Sequence, residues 1–287
     1  LLNPSSYTGV TVVREGALSV ASLNRVVSGV ASSSLGAPTT ALNGTIHLGA
    51  LEKTGTLLVT GAAQTTDRII NLAGTTGGGV LDQSGTGALV FAGSVTATGA
   101  GSKTLTLQGS TSGTGEISGV IADNSATNKT TLVKRGTGAW TLSGANTYSG
   151  GTTVIEGTLV LGNAGALGAG SLTLGEGASI DASLSLLLPA LTHIWNGSFT
   201  FLASNSLDLS AGSIHLTTDV TVTIPAPSVG ALLTVAGVTG SGSLTKSGGG
   251  TMVLSGTNTY TGETIVSGGT LVINGANALP SISDLKI

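Results

Sequence analysis

Side chains that are able to do chemistry concentrate in one stretch of the sequence, between residues 181 and 219. This stretch contains three aspartates, two histidines and a tryptophan: Asp181, His193, Trp195, Asp208, His215 and Asp219. Two carboxylates on neighbouring coils of a β-structure can act as acid and base on a polysaccharide, and Asp208 with Asp219 is the candidate pair, provided that one coil separates them. The intervening residues, LSAGSIHLTT, fit equally well with outward-facing positions beside turns.

Other catalytic and metal-binding patterns are missing from the sequence. It has no cysteine, no GxSxG elbow and no calcium-binding GGxGxDxUx repeat, and His47, His193 and His215 have no motif partner. Gly136 and Gly138 fit only part of a phosphate loop, without the strand-to-helix context that such a loop needs. The sequence therefore predicts no metal site, no cofactor and no enzymatic activity. A polysaccharide lyase or hydrolase and a carbohydrate-binding adhesin remain as alternatives.

Composition limits the partners of the chain. Its 287 residues include 47 glycines, yet 40% are hydrophobic and 8% are charged, which is typical of a folded protein rather than of a disordered glycine-rich segment. The lysines and arginines are scattered and the net charge is −3, which disfavours nucleic acid as a partner. The most apolar stretch, LSLLLPALTHIW at 184–195, is too short to cross a membrane and contains Pro189. Because the chain starts at Leu1 without a leader, we interpret it as a piece of a longer precursor.

A repeat positions the few distinctive side chains. Residues 132–163 align with 244–275 without a gap, and 17 of the 32 pairs are identical. A first, truncated copy begins the chain, so that all three tyrosines share one repeat position. The recurring residues are Tyr7, Tyr148 and Tyr260, Asn146 and Asn258, Lys134 and Lys246, and Gly157 and Gly269. The repeat predicts that these residues have the same structural surroundings in each copy.

The elements around the repeat are short strands. Runs such as GTLVLG, GTIHLG and KTLTLQGS combine β-branched and aliphatic residues and are bounded by turn residues. We predict an all-β fold, a right-handed parallel β-helix of about a dozen coils with roughly 20 to 25 residues per coil. One domain would span 1–287, with copies near 1–20, 132–175 and 244–279 and a divergent insert at 176–240. A short helix at 19–33, with Val20, Leu23, Val26, Val27 and Val30 on one side, is the one exception that the pattern allows.

The longest copies carry a family resemblance. The stretches LVKRGTGAWTLSGANTYSGGTTVIEGTLVLGNAGALGAGSLTLG and LTKSGGGTMVLSGTNTYTGETIVSGGTLVINGANAL resemble the autotransporter-associated β-strand repeat, also called the passenger-associated transport repeat. Residues 66–124 resemble the spacer that often precedes it. The resemblance implies a secreted or surface-displayed right-handed β-helix from a Gram-negative-type bacterium, within a large adhesin-like protein. Residues 176–240 depart from the repeat, and no translocating barrel is part of the sequence.

The recurring side chains have two interpretations each. The tyrosines and asparagines could form a repeated sugar-binding face, but we favour a recurring corner in which asparagine bonds the backbone and the ring covers the turn. Lys134 and Lys246 could contact an anionic partner, but we favour exposed lysines that protect strand edges and keep the solenoid soluble.

The expected function is mechanical: a rigid rod or fibre segment at the extracellular surface of a bacterium. Leu1 begins within a repeat, and ALPSISDLKI at 278–287 forms an alternating apolar strand, so we expect head-to-tail self-association or continuation in a longer polypeptide. Surface glycans are further candidate partners. A row of exposed tyrosine or tryptophan would favour sugar binding, a pair of carboxylates in a groove would favour an enzyme, and smooth faces of threonine, serine and glycine over buried aromatic residues would favour the rod.

Overall fold

The computed structural model of the protein describes residues 1–26, 32–110, 112–226 and 230–287. The chain divides into two compact units, Leu1–Gly151 and Thr152–Ile287, which are described one after the other. Both consist of short strands that pair in parallel with the strand one coil away.

The first unit contains three parallel sheets. One has the order β1 (Thr11–Val13), β3 (Ile46–Leu48), β6 (Ile70–Leu72), β9 (Val95–Ala97). The second has the order β2 (Gly16–Val20), β4 (Gly55–Val59), β7 (Gly79–Gln83), β10 (Lys103–Gly109), β12 (Thr130–Lys134). The third has the order β5 (Gln64–Thr66), β8 (Ala88–Phe91), β11 (Thr114–Ile117), β13 (Ala139–Leu142).

The second unit also contains three parallel sheets. One has the order β14 (Thr152–Val154), β16 (Leu172–Leu174), β19 (Thr192–Trp195), β22 (Ser213–Leu216), β25 (Val238–Gly240). The second has the order β15 (Thr158–Leu161), β17 (Ala178–Ala182), β20 (Phe199–Phe201), β23 (Val220–Thr223), β26 (Leu244–Ser247), β28 (Thr264–Val266), β30 (Leu285–Lys286). The third has the order β18 (Leu186–Leu187), β21 (Leu207–Asp208), β24 (Leu232–Val235), β27 (Thr251–Ser255), β29 (Thr270–Asn274).

The register of these strands gives the length of each coil. Leu57 pairs with Leu81, 24 residues later, and Thr158 pairs with Ser179, 21 residues later. The protein is therefore an all-β parallel β-solenoid of about ten turns, which confirms the predicted fold class with slightly fewer coils than expected. The right-handed sense and the single domain over 1–287 stay predictions.

One coil is longer than the others. Gly16 pairs with Gly55, 39 residues later, and the added residues include the only helix of the described residues, α1 (Ala41–Gly44), which the sequence pattern did not predict. The helix predicted at 19–33 does not form in its described part, because residues 19 and 20 end strand β2 and residues 21–26 are irregular. Val27 and Val30 lie outside the described residues.

The core follows the alternation of side chains along each strand. In β10, buried Lys103, Leu105 and Leu107 alternate with half-buried Thr104 and Thr106. Parallel pairing in register then places like residues above one another, as in the stack of Leu105 on Leu132. Glycine leaves space in this core for large rings: a Cβ atom at Gly115 would lie 2.4 Å from the Trp140 ring, which pairs with Gly115 in register. Seven of the eight aromatic residues are buried, and Tyr7 is 37% exposed.

Candidate functional site

The recurring asparagine lies at a corner of the coil and connects three coils. Asn258 is buried between β27 and β28, and its side-chain Oδ1 accepts a hydrogen bond of 2.8 Å from the backbone N–H of Val238, in the preceding coil. Its Nδ2 donates to the carbonyl oxygens of Ser255, at 3.0 Å, and of Ala278, at 2.7 Å, in the following coil. A corner interrupts the ladder of backbone hydrogen bonds, and the primary amide supplies the donor and acceptor that the ladder lacks.

Asn146 makes the corresponding contact in the first unit. Its Oδ1 accepts a hydrogen bond of 2.8 Å from the backbone N–H of Ile121, one coil earlier. The backbone N–H groups of Thr147 and Tyr148 donate to the carbonyl oxygen of Ile121, at 2.9 and 3.2 Å. The side-chain amide thus completes the pairing of the peptide groups around Ile121.

The recurring tyrosine packs beneath this corner. Tyr260 is fully buried, and its hydroxyl lies 2.6 Å from Thr264 Oγ1, which in turn lies 2.8 Å from Ser283 Oγ. Burial raises the pKa of Tyr260, although its hydrogen bonds lower the pKa in part. Tyr148 is also fully buried, so neither ring offers a surface on which a sugar could stack. Tyr7 is partly exposed and bonds Thr11 in the same way, at 2.7 Å.

The recurring lysine is buried, which corrects the expectation of an exposed side chain. Lys134 is 0% exposed, and it pairs in register with Leu107 of the preceding coil. Its Nζ donates to the carbonyl oxygens of Arg135, at 2.7 Å, and Gly136, at 2.6 Å. Lys134 points inward because it is two residues after buried Leu132, and an ammonium group at the end of the strand can reach the carbonyl groups of the next turn.

Lys246 repeats this arrangement in the second unit. Its Nζ donates to the carbonyl oxygens of Ser247 at 2.8 Å, Gly248 at 2.7 Å and, one coil later, Gly268 at 3.0 Å. Burial lowers the pKa of Lys246. Three carbonyl dipoles surround the ammonium group without a carboxylate, so the side chain is not placed to bind an anionic partner.

The recurring glycines provide a backbone conformation that other residues avoid. Gly157 and Gly269 have φ angles of +69° and +70°. At Gly269 a Cβ atom would also lie 2.3 Å from the carbonyl oxygen of Gly248 and 2.4 Å from that of Gly250. Both the left-handed conformation and the close approach of the neighbouring coil therefore require glycine at this corner.

The candidate catalytic carboxylates do not come together as the sequence hypothesis required. Asp208 belongs to β21, whereas Asp219 precedes β23, and the two strands lie in different sheets. Asp208 Oδ1 accepts a hydrogen bond from the backbone N–H of Ser210 at 2.8 Å, and Asp219 Oδ1 accepts one from that of Ser243 at 2.8 Å. Eleven residues are about half a coil, so Asp208 and Asp219 do not lie on neighbouring coils. Asp208 bonds its own turn, and Asp219 bonds the next coil.

Asp181 and His215 also have separate local partners. Asp181 is buried and accepts hydrogen bonds from the backbone N–H of Ser204, at 3.0 Å, and from its hydroxyl, at 2.6 Å. His215 is exposed, and its Nδ1 lies 3.2 Å from Thr239 Oγ1. No group of three or more aspartate, glutamate and histidine side chains suited to a metal ion occurs in the part of the chain that the structure describes.

His193 and Trp195 face the core of the second unit. His193 is 0% exposed and stacks in register between Leu172 and Ile214. Neither of its ring nitrogens nor Nε1 of Trp195 has a hydrogen-bond partner among the described residues. Trp195 packs edge-on against Phe199, with ring centroids 4.9 Å apart. Burial lowers the pKa of His193 to about 4.

Sequence reasoning missed a buried arginine in the coil that follows the long one. The guanidinium of Arg68 is 0% exposed and donates to Asn24 Oδ1, to the carbonyl oxygen of Leu35 at 2.6 Å and to that of Gly44 at 3.4 Å. It thereby connects the added residues to the coil that follows. Burial lowers the pKa of Arg68. No pattern marks Arg68 in the sequence, because its partners lie more than 20 residues away, at the end of helix α1 (Gly44) and in irregular segments (Asn24 and Leu35).

Sequence reasoning also missed a carboxylate that connects two coils. Asp123 accepts hydrogen bonds from the backbone N–H of Thr130 at 2.7 Å, and from Ser149 through its backbone N–H at 3.0 Å and its hydroxyl at 2.6 Å. Burial alone would raise the pKa of Asp123, but these hydrogen bonds and the positive charge of Lys129 together lower it below its ordinary value. Asp181 and Ser204 form the same kind of link in the second unit.

A comparison with known protein families matches the same three copies that form the repeated corner. The profile of the passenger-associated-transport-repeat matches residues 1–20, 132–161 and 244–273, the copies that contain the tyrosines. Three stretches of this β-solenoid therefore match the passenger-associated transport repeat, which confirms the resemblance seen in the sequence.

The chain is also similar to a small part of a curated protein. The chain is 33% identical over 151 residues to the adhesin BmaC autotransporter of Brucella suis biovar 1 (strain 1330), and this alignment covers 52% of the chain and 4% of the relative. The chain thus matches a small part of a much longer protein. No solved structure matches the chain at a significant level. No helix among the described residues is both long enough and apolar enough to span a bilayer.

Proposed function

We propose that this segment is a structural spacer in an autotransporter-like adhesin that is displayed outside a bacterial cell. The observation that carries the proposal is the burial of the aromatic side chains, since seven of eight lie in the core. The outward positions are instead filled mainly by small polar residues. In the second unit, Thr158, Ser179, Thr200 and Thr223 follow one another in register along one sheet.

Regular parallel pairing supports a mechanical role. Each added coil extends a β-solenoid by about 4.8 Å, so backbone hydrogen bonds are converted into length. The recurring asparagines and lysines add bonds at the corners, where the backbone ladder is interrupted. Extracellular location and adhesion enter the proposal from the relationship to autotransporter adhesins.

We propose another coil of the same repeat as the partner of this segment, either in the same polypeptide or in a second copy. Leu161 of β15 is fully buried because β17 pairs with it, whereas its repeat counterpart, Ile273 of β29, is 41% exposed. Strand β29 pairs with β27 on one side, through Leu254 and Ile273. A strand like β17 would cover the other side of β29 and continue the sheet.

Electron microscopy and small-angle scattering of the 287-residue chain test the spacer role. We expect narrow particles about 50 Å long, the length of about ten coils, or filaments that are built from such particles. Compact particles without a long axis would contradict the proposal.

The stacking partner has its own test. Sedimentation of the Ile273→Lys variant should show less self-association than the wild type, because a buried ammonium group would face the added coil. Ile155→Lys, at another exposed isoleucine, is the matched control. A chain that stays monomeric at high concentration excludes a second copy as the partner and leaves the spacer role intact.

A further inference from the structure

The buried imidazole of His193 has no role in the proposed spacer function. His193 belongs to β19, and the residues directly above and below it, Leu172 and Ile214, are also 0% exposed. Both ring nitrogens lack a hydrogen-bond partner among the described residues. An imidazole at this position is a polar group in an aliphatic stack, and burying it without a partner costs stability.

Among the residues that the structure describes, no group next to His193 would stabilise a positive charge. The strands that pair with β19 are β16, which has no titratable side chain, and β22, whose His215 faces outward and is exposed. In the other sheets of the unit, Asp181 is bonded to Ser204, and Asp208 is bonded to Ser210. Burial is the cause that lowers the pKa of His193, with no contribution from a charged neighbour.

We propose that His193 is an acid-sensitive switch that opens the coil containing β19 in mildly acidic surroundings. The imidazole is neutral and packed while the coil is closed. A proton can be accommodated only when the ring reaches water, which requires β19 to separate from β16 or β22. Opening exposes the backbone groups of these strands, and unpaired parallel edges are able to pair with other chains.

The direction of the pH dependence follows from the two states of the ring. The pKa of His193 is lowered from 6.5 to about 4 in the folded protein, so the open coil binds the proton more tightly than the closed coil. The closed coil is therefore fully favoured above pH 6.5 and loses stability as the pH falls toward 4. Between pH 7.5 and pH 5 the equilibrium constant for opening should increase about 30-fold.

Trp195 also lowers the local stability of strand β19. Its indole Nε1 is buried without a partner, two residues from the imidazole. Strand β19 thus holds all the buried side-chain nitrogen and oxygen atoms that lack a partner in the described residues. We expect local opening to start here rather than in neighbouring coils.

Hydrogen exchange with mass spectrometry tests this switch in the 287-residue chain. Protection factors of peptides that cover β16, β19 and β22 should fall about 30-fold from pH 7.5 to pH 5 in the wild type. His193→Leu should remove this fall, because leucine fits the aliphatic stack and does not titrate. His193→Gln is a second variant, which stays polar without titrating near these pH values and should also remove the fall.

His215→Leu is the matched control, since this histidine lies on the outer face of the paired strand. It should keep the wild-type pH dependence. An unchanged pH dependence in His193→Leu, or an imidazole of His193 that titrates near pH 6.5 by NMR in the closed protein, would overturn the proposal. Because none of these measurements depends on particle length, they leave the spacer role untouched.

Discussion

At the scale of single residues, the repeat keeps side chains that replace missing backbone hydrogen bonds. Asn258 supplies both a donor and an acceptor to neighbouring coils, and Lys246 supplies donors to a turn. Both residues are almost entirely buried. These side chains stabilise the fold by giving hydrogen-bond partners to buried peptide groups, because a buried carbonyl or N–H group without a partner lowers the stability of the protein.

Replacing Asn258 by alanine should destabilise the protein by about 1 to 3 kcal/mol, since the N–H of Val238 and the carbonyl oxygen of Ala278 would lose their partner. Denaturant unfolding followed by circular dichroism measures the loss. Asn277→Ala, at an exposed asparagine in the next coil, is the control and should change stability little. Equal losses in the two variants would show that the bridge to neighbouring coils does not stabilise the fold.

Replacing Lys246 by methionine should also cost about 1 to 3 kcal/mol, because methionine preserves the apolar stem but leaves three carbonyl oxygens without their donor. Lys286→Met is the control, since this exposed lysine makes only a surface ion pair with Glu263. Thermal unfolding of both variants gives the comparison. A Lys246→Met variant as stable as the wild type would mean that the turn carbonyls are satisfied by water.

At the scale of elements, parallel pairing in register stacks the residues at equivalent positions of successive strands into a column along the sheet. In the first unit, Gly115 lies between Leu89 and Trp140 in such a column. The indole needs the space that glycine leaves, and it stacks on Phe91 with ring centroids 6.3 Å apart. A change in one strand therefore affects the packing of the next.

The substitution Gly115→Ala should destabilise the first unit by about 1 to 3 kcal/mol, because its methyl group would lie 2.4 Å from the Trp140 ring. Tryptophan fluorescence during denaturant unfolding measures the effect. Gly9→Ala is the control, since a Cβ atom at Gly9 meets no other atom within 4 Å. If both variants unfold like the wild type, the coil adjusts to the added methyl group without cost.

The link between Asp123 and Ser149 should make the first unit sensitive to acid. The pKa of Asp123 is lower in the folded protein than its ordinary value of 3.8, so this contribution to stability is present above about pH 4 and is lost as the pH falls below it. Asp123→Asn should reduce the slope of stability against pH between about pH 4 and pH 2. Unfolding midpoints measured across this range, with exposed Glu52→Gln as control, would reveal the change.

How far the sequence predicts the structure differs between these scales. Strand alternation and the repeat were sufficient to predict a parallel β-solenoid, because in-register pairing depends mainly on the pattern of apolar residues. The same alternation places Lys134 two residues after Leu132 and so on the inner face, but the general preference of lysine for water led to the opposite expectation. The partners of Arg68 and Asp123 depend on irregular corners, where sequence spacing does not fix the geometry.

At the scale of the whole molecule, low charge controls how the chain behaves with other copies. Only 8% of the residues are charged, and the pI from the sequence is about 5.5. Few charges remain to keep copies apart near this pH. Dynamic light scattering should therefore show the most self-association near pH 5.5, where repulsion is weakest. A constant particle size from pH 4 to pH 8 would contradict the expectation.

The long first coil has a consequence for how such proteins change over time. The added residues between Gly16 and Gly55 do not disturb the pairing of the strands on either side of them, since five consecutive residues of β2 still pair in register with β4. A coil can accordingly acquire a new excursion at one corner while its neighbours keep their partners. The residues at such a corner can therefore change in sequence and length while the paired strands stay the same. For the same reason, these corners are suitable sites for inserting foreign peptides.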